Sequence, residues 1–246
     1  MDLRERTASG RRHPWELARA RSFRRLIGDH VGLSGVRSVL DIGAGDGWFA
    51  QELAGDLLAH ARITCWDVNY RSEDIATPSG AAIERTSSPP DGRFDLVLAL
   101  DVLEHIDDPD TFLDESVVPR LDARGTLIVS VPAHPRLYSD HDRTLGHHRR
   151  YRRKDLLELL GRHVDVRASG GLFTTLIPPR AFAVAAERLG LRRPQVGVGA
   201  WSGGPTITGA LTAVLLADAA VGRRLAEANM ALPGLSVWAV ARPRLA

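Results

Sequence analysis

Apolar residues recur along this chain in short continuous runs that alternate with segments of helical spacing. S-V-L-D-I-G (from Ser38), R-I-T-C-W-D-V (from Arg62), F-D-L-V-L-A-L (from Phe94) and G-T-L-I-V-S-V-P (from Gly125, stopped by Pro132) have strand length. Near-continuous apolarity suits strands covered on both faces. A-A-I-E-R (from Ala81) is a weaker third strand, His163 to Ala168 a sixth, and L-S-V-W-A-V-A (from Leu235) the last. Helices are predicted from Trp48, from Asp108 toward Val118, and from Lys154 to Leu160. Upstream, Pro14 sits near a helix start, and Leu17, Phe23, Leu26 and Ile27 leave an apolar stripe that Gly28, Gly32 and Gly35 interrupt. Strands alternating with helices predict right-handed βαβ units and a mostly parallel α/β sheet with helices on both faces.

Composition narrows the picture only slightly. A length of 246 residues allows one large domain or two small ones, and 44% hydrophobic with 25% charged residues excludes wholesale disorder. The single cysteine, Cys65, excludes an intramolecular disulfide framework and a four-cysteine zinc site, and makes a reducing cytoplasm the expected compartment. No early apolar stretch follows a basic segment, so no signal peptide is expected. Ile207 to Val221 carries Asp218 and falls short of the roughly 20 residues of a spanning helix. No membrane span is expected, although peripheral membrane contact stays open. A balance of 32 basic against 30 acidic residues does not predict nucleic-acid binding.

The informative motif is V-L-D-I-G-A-G-D-G-W. Asp41 stands two residues ahead of Gly43, Gly45 and Gly47, at a strand-to-helix junction. Glycines there let the backbone turn tightly and approach a ligand closely. A nicotinamide-dinucleotide fingerprint needs a glycine at position 48, which is Trp48. The GxGxG spacing with its leading acid resembles motif I of class I S-adenosylmethionine-dependent methyltransferases. F-D-L-V-L-A-L-D-V-L-E-H-I and G-T-L-I-V-S-V-P resemble the same family's fourth and fifth strands.

The resemblance implies a Rossmann-like, seven-stranded sheet whose last strand is antiparallel, with S-adenosyl-L-methionine as cofactor. It places Asp41, Gly43, Ala44, Gly45, Asp67, Val68, Leu100 and Asp101 around that cofactor, Asp67 on the ribose hydroxyls. The acidic or amide residue that contacts the adenine amine has no counterpart in R-T-S-S-P-P-D-G. The organisation expected is a single methyltransferase domain over 1–246. It comprises an N-terminal helical lid (1–35), a cofactor-binding core (36–170), a helical insertion (171–232), and the last strand and tail (233–246).

Two stretches bear on the acceptor. His105, in L-D-V-L-E-H-I just past strand four, is of the residue type suited to take a proton from a hydroxyl near neutral pH, and open α/β sheets bind ligands at that edge. It is either the general base or a residue that shapes the cofactor pocket. The second stretch, V-P-A-H-P-R-L-Y-S-D-H-D-R-T-L-G-H-H-R-R-Y, resembles a bacterial subgroup distantly related to ubiquinone-pathway methyltransferases, with its D-x-x-x-G-H-x-R-R-Y signature. Three readings stand: an acceptor pocket in which Arg149 and Arg150 fork onto phosphate or carboxylate, a metal site of His141, Asp142 and His147, or a loop tied to itself. No spacing matches a strong zinc pattern, so no metal ligand is assigned. The acceptor-facing set is then Trp15, Glu104, His134, Tyr138, His141, His147, Arg149, Arg150 and Tyr151. Trp15 serves either as part of a lid or as a packing residue. The expected acceptor is a small molecule, a glycan or a lipid-linked intermediate, methylated on oxygen. Nitrogen or carbon methylation of a natural-product or isoprenoid-type acceptor is the alternative, as is a non-catalytic cofactor-binding partner. No N/D-P-P-Y/F motif of base methylation occurs, so nucleic acid is not an expected partner.

Overall fold

The computed structural model describes residues 12–76, 83–191, 201–228 and 230–244. The first eleven residues of the expected lid, the start of the A-A-I-E-R strand and residues 197–200 of the linker before the long apolar helix lie outside them. Seven strands form one sheet: β1 (Ser38–Ile42), β2 (Arg62–Trp66), β3 (Ile83–Thr86), β4 (Phe94–Leu100), β5 (Leu121–Pro132), β6 (Val164–Leu172) and β7 (Ser236–Pro243). Their order is β3-β2-β1-β4-β5-β7-β6. β1 to β5 pair in parallel, and β7 runs antiparallel between β5 and β6. This is the Rossmann-like sheet that the resemblance implied.

Helices cover both faces. They are α1 (Pro14–His30), α2 (Trp48–Ala54), α3 (Ser72–Ala76), α4 (Pro109–Phe112), α5 (Asp140–Leu145), α6 (Arg153–His163), α7 (Ile177–Arg188) and α8 (Pro205–Glu227). Strand alternation divides the core. Leu40, Val97 and Val129 face Leu156 and Leu160 of α6, whereas Val39, Leu98 and Ile128 face Phe23 and Ile27 of α1 and Leu215 of α8.

Three expectations needed correction. β6 runs on to Leu172 rather than ending at Ala168, because Gly170 and Gly171 are close-approach residues and not breakers. A Cβ on Gly171 would lie 2.3 Å from the Leu232 carbonyl. β5 begins at Leu121, ahead of the Gly125 start, with a register shift against β4 between Phe94 and Leu96. The apolar stretch at Ile207 extends into a 23-residue helix, α8, long and apolar enough to cross a membrane by length and composition alone. One side of α8 packs on the protein through Thr212, Leu215, Ala219 and Gly222, and Asp218 accepts the Thr174 and Thr175 amides. Ile207, Leu211, Val214 and Val221 face outward.

Candidate active site

The carboxyl ends of β1, β2, β4 and β5 meet along one edge, where open α/β sheets bind ligands. The backbone there is unusually turned. Gly43, Gly45 and Gly47 after β1 have φ of 65°, 57° and 73°. A Cβ on Gly43 would lie 2.8 Å from Val102 Cγ2, so the turn is open to nothing larger than glycine. Three non-glycine residues also take left-handed φ, one just beyond each of β4, β5 and β6: Asp101, His134 and Phe173. Such backbones cost on the order of 1–3 kcal/mol each and persist where the surroundings over-determine them.

The glycine turn is tied to the end of β2. Gly43 donates to the Trp66 carbonyl at 2.7 Å, and Gly45 donates to Asp67 Oδ2 at 2.9 Å. Asp67 Oδ1 accepts from the Asn69 amide and side chain. Its donors are neutral. Beside it in sequence Val68 is 73% exposed, while Ala44 is buried and Leu100 half-buried. Asp41 is buried at the end of β1, and burial pushes its carboxyl up to about 7 against the pull of Arg19. After β3, the Thr86 hydroxyl donates to the Ser88 carbonyl and accepts from the Ser88 amide.

Helix α1 roofs this edge. His13 caps it by accepting the Trp15 amide, Arg12 pairs with Asp46 of the glycine turn, and its guanidinium lies over Trp48. About two turns on, Arg19 reaches Asp101 Oδ2 at 2.7 Å, while Ser130 donates to Asp101 Oδ1 at 2.9 Å. Asp101 thus has its charge matched within the fold. Trp15 is half-buried against the core with Arg19 above its ring, so packing occupies one of its faces. Arg19 and Ser130 were missed in the sequence. Arg19 had a signal, standing one helical turn from Trp15 on the same face.

The loop after β5 organises around one carboxylate. Asp142, fully buried, accepts from the Ser139 amide (3.0 Å) and hydroxyl (3.2 Å), His147 Nδ1 (3.0 Å), Arg150 Nε (2.7 Å) and Arg180 Nη2 (3.1 Å) of α7. Burial opposes its charge, yet His147, Arg150 and Arg180 hold the carboxyl far below the usual carboxylate range. The D-x-x-x-G-H-x-R-R-Y signature is therefore a folding unit. Gly146, at φ 78°, ends α5 and turns the chain so that His147 and Arg150 return to Asp142. Tyr151 bridges to Ala133, and its hydroxyl donates to the Leu103 carbonyl.

The structure separates the expected arginine pair. The Arg150 side chain is 6% exposed and bound to Asp142 and the Ala133 carbonyl, whereas Arg149 is 38% exposed and reaches the Asp107 carbonyl. Tyr138 donates to the His147 carbonyl, and a His134 ring nitrogen meets the Gly234 carbonyl. His141 is half-buried beside Arg180, and burial lowers its pKa. The metal set of His141, Asp142 and His147 does not assemble around an ion, since arginines and His147 already occupy the Asp142 oxygens.

A different trio does come together. Potential ligand atoms of Glu104, His105 and His147 all lie within 4.8 Å of one another, and the two imidazoles meet edge-on with centroids 4.6 Å apart. Glu104 is fully buried, and neither carboxyl oxygen has a hydrogen-bond partner. Burial, with the Asp101 charge, pushes its pKa well above the ordinary value.

A protein-family profile described as a methyltransferase domain matches residues 15–193, from the start of α1 past α7. Among solved structures, the [4+2]-cyclase SpnF matches with a TM-score of 0.57 at 20% identity, covering 96% of this chain and 84% of that one. Coclaurine N-methyltransferase bound to N-methylheliamine and SAH gives 0.55 at 15% identity, covering 91% and 70%. The plantazolicin methyltransferase BpumL, in complex with a monoazolic desmethylPZN analog and SAH, gives 0.54 at 13% identity, covering 94% and 85%. At these identities the likenesses establish a shared fold. No curated protein matches the chain.

Proposed function

The chain belongs to the methyltransferase-domain family and uses S-adenosylmethionine; from that premise we propose that it methylates an oxygen of a small hydroxylated, glycan or lipid-linked acceptor. The residues present fit the cofactor. The bare glycine turn leaves room for close approach, the buried Asp67 with only neutral donors suits a ribose, the exposed Val68 an apolar ring, and the under-neutralised Asp41 a cationic amino-acid tail. Asp41, Gly43, Ala44, Gly45, Asp67 and Val68 would hold it, with Leu100 and Asp101 closing the β4 side. S-Adenosylmethionine supplies a methyl group already activated as a sulfonium.

What remains for the protein is to position the nucleophile and take its proton. The single observation that carries the oxygen reading is the pair of imidazoles, His105 and His147, gathered past the end of β4. An alcohol has to lose its proton as it attacks, and neutral imidazole is the side chain suited to accept it near pH 7. His105 is the base in this reading. His147, held through Nδ1 by Asp142, is fixed beside it. Arg150, Tyr138 and Tyr151 build the loop, which leaves Arg149 as the cation available to an anionic acceptor. The signature around Asp142 supports kinship with the ubiquinone-pathway-like subgroup, and the outward apolar residues of α8 support a lipid-linked acceptor.

The test pairs methyl-labelled cofactor with a panel of hydroxylated, amino and activated-carbon acceptors. A methyl ether product is expected. His105→Gln should lower turnover roughly 10²–10⁴-fold with cofactor affinity unchanged by calorimetry. Label on nitrogen or carbon would overturn the reading.

A further inference from the structure

We propose that Glu104, His105 and His147 form a divalent transition-metal site with two imidazole ligands and one carboxylate. Three separate features point there. Their ligand atoms already cluster within 4.8 Å. Ligands bonded to zinc at about 2.0–2.1 Å in a tetrahedral array stand roughly 3.3 Å apart, so the three atoms would have to draw together by no more than about 1.5 Å to hold an ion.

The second feature is Glu104. A fully buried carboxyl with both oxygens unpartnered is rare, because an unmet buried acceptor is costly. Arg19 and Arg150 act on it only at a distance, since their guanidinium groups are committed to Asp101 and Asp142. A cation between the carboxylate and the two imidazoles meets the need directly. The third feature is the Asp142–His147 hydrogen bond. With Nδ1 donating to a buried carboxylate, His147 is held in the tautomer whose Nε2 lone pair is free to ligate. That carboxylate–histidine arrangement recurs behind histidine ligands of metals.

One carboxylate and two imidazoles suit zinc and its first-row neighbours better than magnesium or calcium. Three protein ligands leave at least one position for solvent or an acceptor oxygen. An ion there would lower the pKa of an oxygen bound to it, and since a ligating imidazole has used its one basic lone pair, His105 in the loaded site would be a ligand and the proton of the bound oxygen would pass to water. That use rests on the oxygen-acceptor reading; the site itself does not.

The whole chain, stripped with EDTA and dialysed, is titrated with Zn²⁺ by calorimetry and with Co²⁺ by visible spectroscopy. About one Zn²⁺ per chain is expected, and a Co²⁺ d–d spectrum of a low-coordinate nitrogen–oxygen site. Glu104→Gln copies the shape of a protonated glutamate but is a poor ligand. It and His147→Ala should each weaken Zn²⁺ binding more than roughly 100-fold with circular dichroism unchanged, whereas His141→Ala should leave it intact. Zn²⁺ binding equal in Glu104→Gln and parent would overturn the site. Full turnover by metal-free protein would overturn the ion's part in turnover and not its binding, and if His105→Gln still lost activity there, the oxygen reading would stand with His105 as its base. Zn²⁺ binding as expected with the methyl delivered to nitrogen would leave the site standing and remove the oxygen reading.

Discussion

Asp142 and Glu104 flank the same imidazole, His147, and both are fully buried, yet their surroundings are opposite. Asp142 accepts from a backbone amide, a hydroxyl, an imidazole and two guanidinium groups, and its charge is held. Glu104 accepts from no other residue. The difference separates architecture from site. A buried carboxylate whose oxygens are all met has finished its work in folding the loop. One whose oxygens are unmet is a stored cost, of the kind tolerated where a ligand will meet it. The turn that carries Glu104 also contains the left-handed Asp101, so backbone and side-chain costs concentrate at one place.

The sharpest way to break this contrast is to delete each carboxylate. Asp142→Ala should destabilise the protein by about 3–5 kcal/mol in denaturant unfolding, because Arg150 and Arg180 are left in the interior without their partner. Asp142→Asn should recover little of it, since the charge is what the guanidinium groups require. Glu104→Gln should fall within about 1 kcal/mol of the parent in either direction, as no bond is lost. Equal losses at the two positions would mean that Glu104 has partners in solution that match those of Asp142.

Asp67 stands between the extremes, with neutral donors only. Asp67→Ala should weaken S-adenosylmethionine binding by about 1.5–3 kcal/mol in calorimetry, the worth of two charge-assisted hydrogen bonds. An unchanged affinity would remove it from the cofactor site.

Asp41 extends the series to pH. Burial raises its folded-state carboxyl to about 7, above the roughly 3.9 of an unfolded aspartate. The folded state then holds the proton more tightly, so this residue's contribution is fullest below about pH 4, declines as pH rises, and levels above about 7. Asp41→Asn removes the dependence. It should raise stability at pH 8 by on the order of 1–3 kcal/mol and change little at pH 4, while weakening the cofactor. A stability gain that does not vary between those pH values would refute the assignment.

The fold and the cofactor turn were legible in the sequence because they depend on local order. Apolar runs of strand length and the Asp41–Gly43–Gly45–Gly47 spacing hold their meaning wherever the chain goes. The Gly170–Gly171 pair was not, since a glycine required for close approach to residues 232–234 looks the same as one that ends a strand. The loop illustrates the limit best. Its charged residues could all be read as candidates, but whether Arg150 faced a ligand or Asp142 depended on Gly146 turning the chain and on Arg180 arriving from α7. Satisfaction of a hydrogen bond belongs to space, and so does its absence at Glu104.

The arginine pair offers the finest test, because the residues are adjacent and chemically identical. Arg150 donates through Nε to a buried carboxylate and through Nη1 to the Ala133 carbonyl, a planar fork that an ammonium cannot reproduce. Arg150→Lys should therefore cost about 1–3 kcal/mol of stability. Arg149 sits at the surface, its Nη2 on the Asp107 carbonyl at 2.8 Å and 3.7 Å from an Asp107 carboxylate that is almost wholly exposed. Water and salt screen such a pair, so Arg149→Lys should move stability by no more than about 0.5 kcal/mol. If it binds an anionic acceptor, the same change should raise KM for a phosphorylated or carboxylated substrate several-fold more than for a neutral one, with kcat unaltered. A stability loss at Arg149 matching that at Arg150 would show that both guanidinium groups serve the loop, and the acceptor's charge would then have to be read elsewhere on the edge.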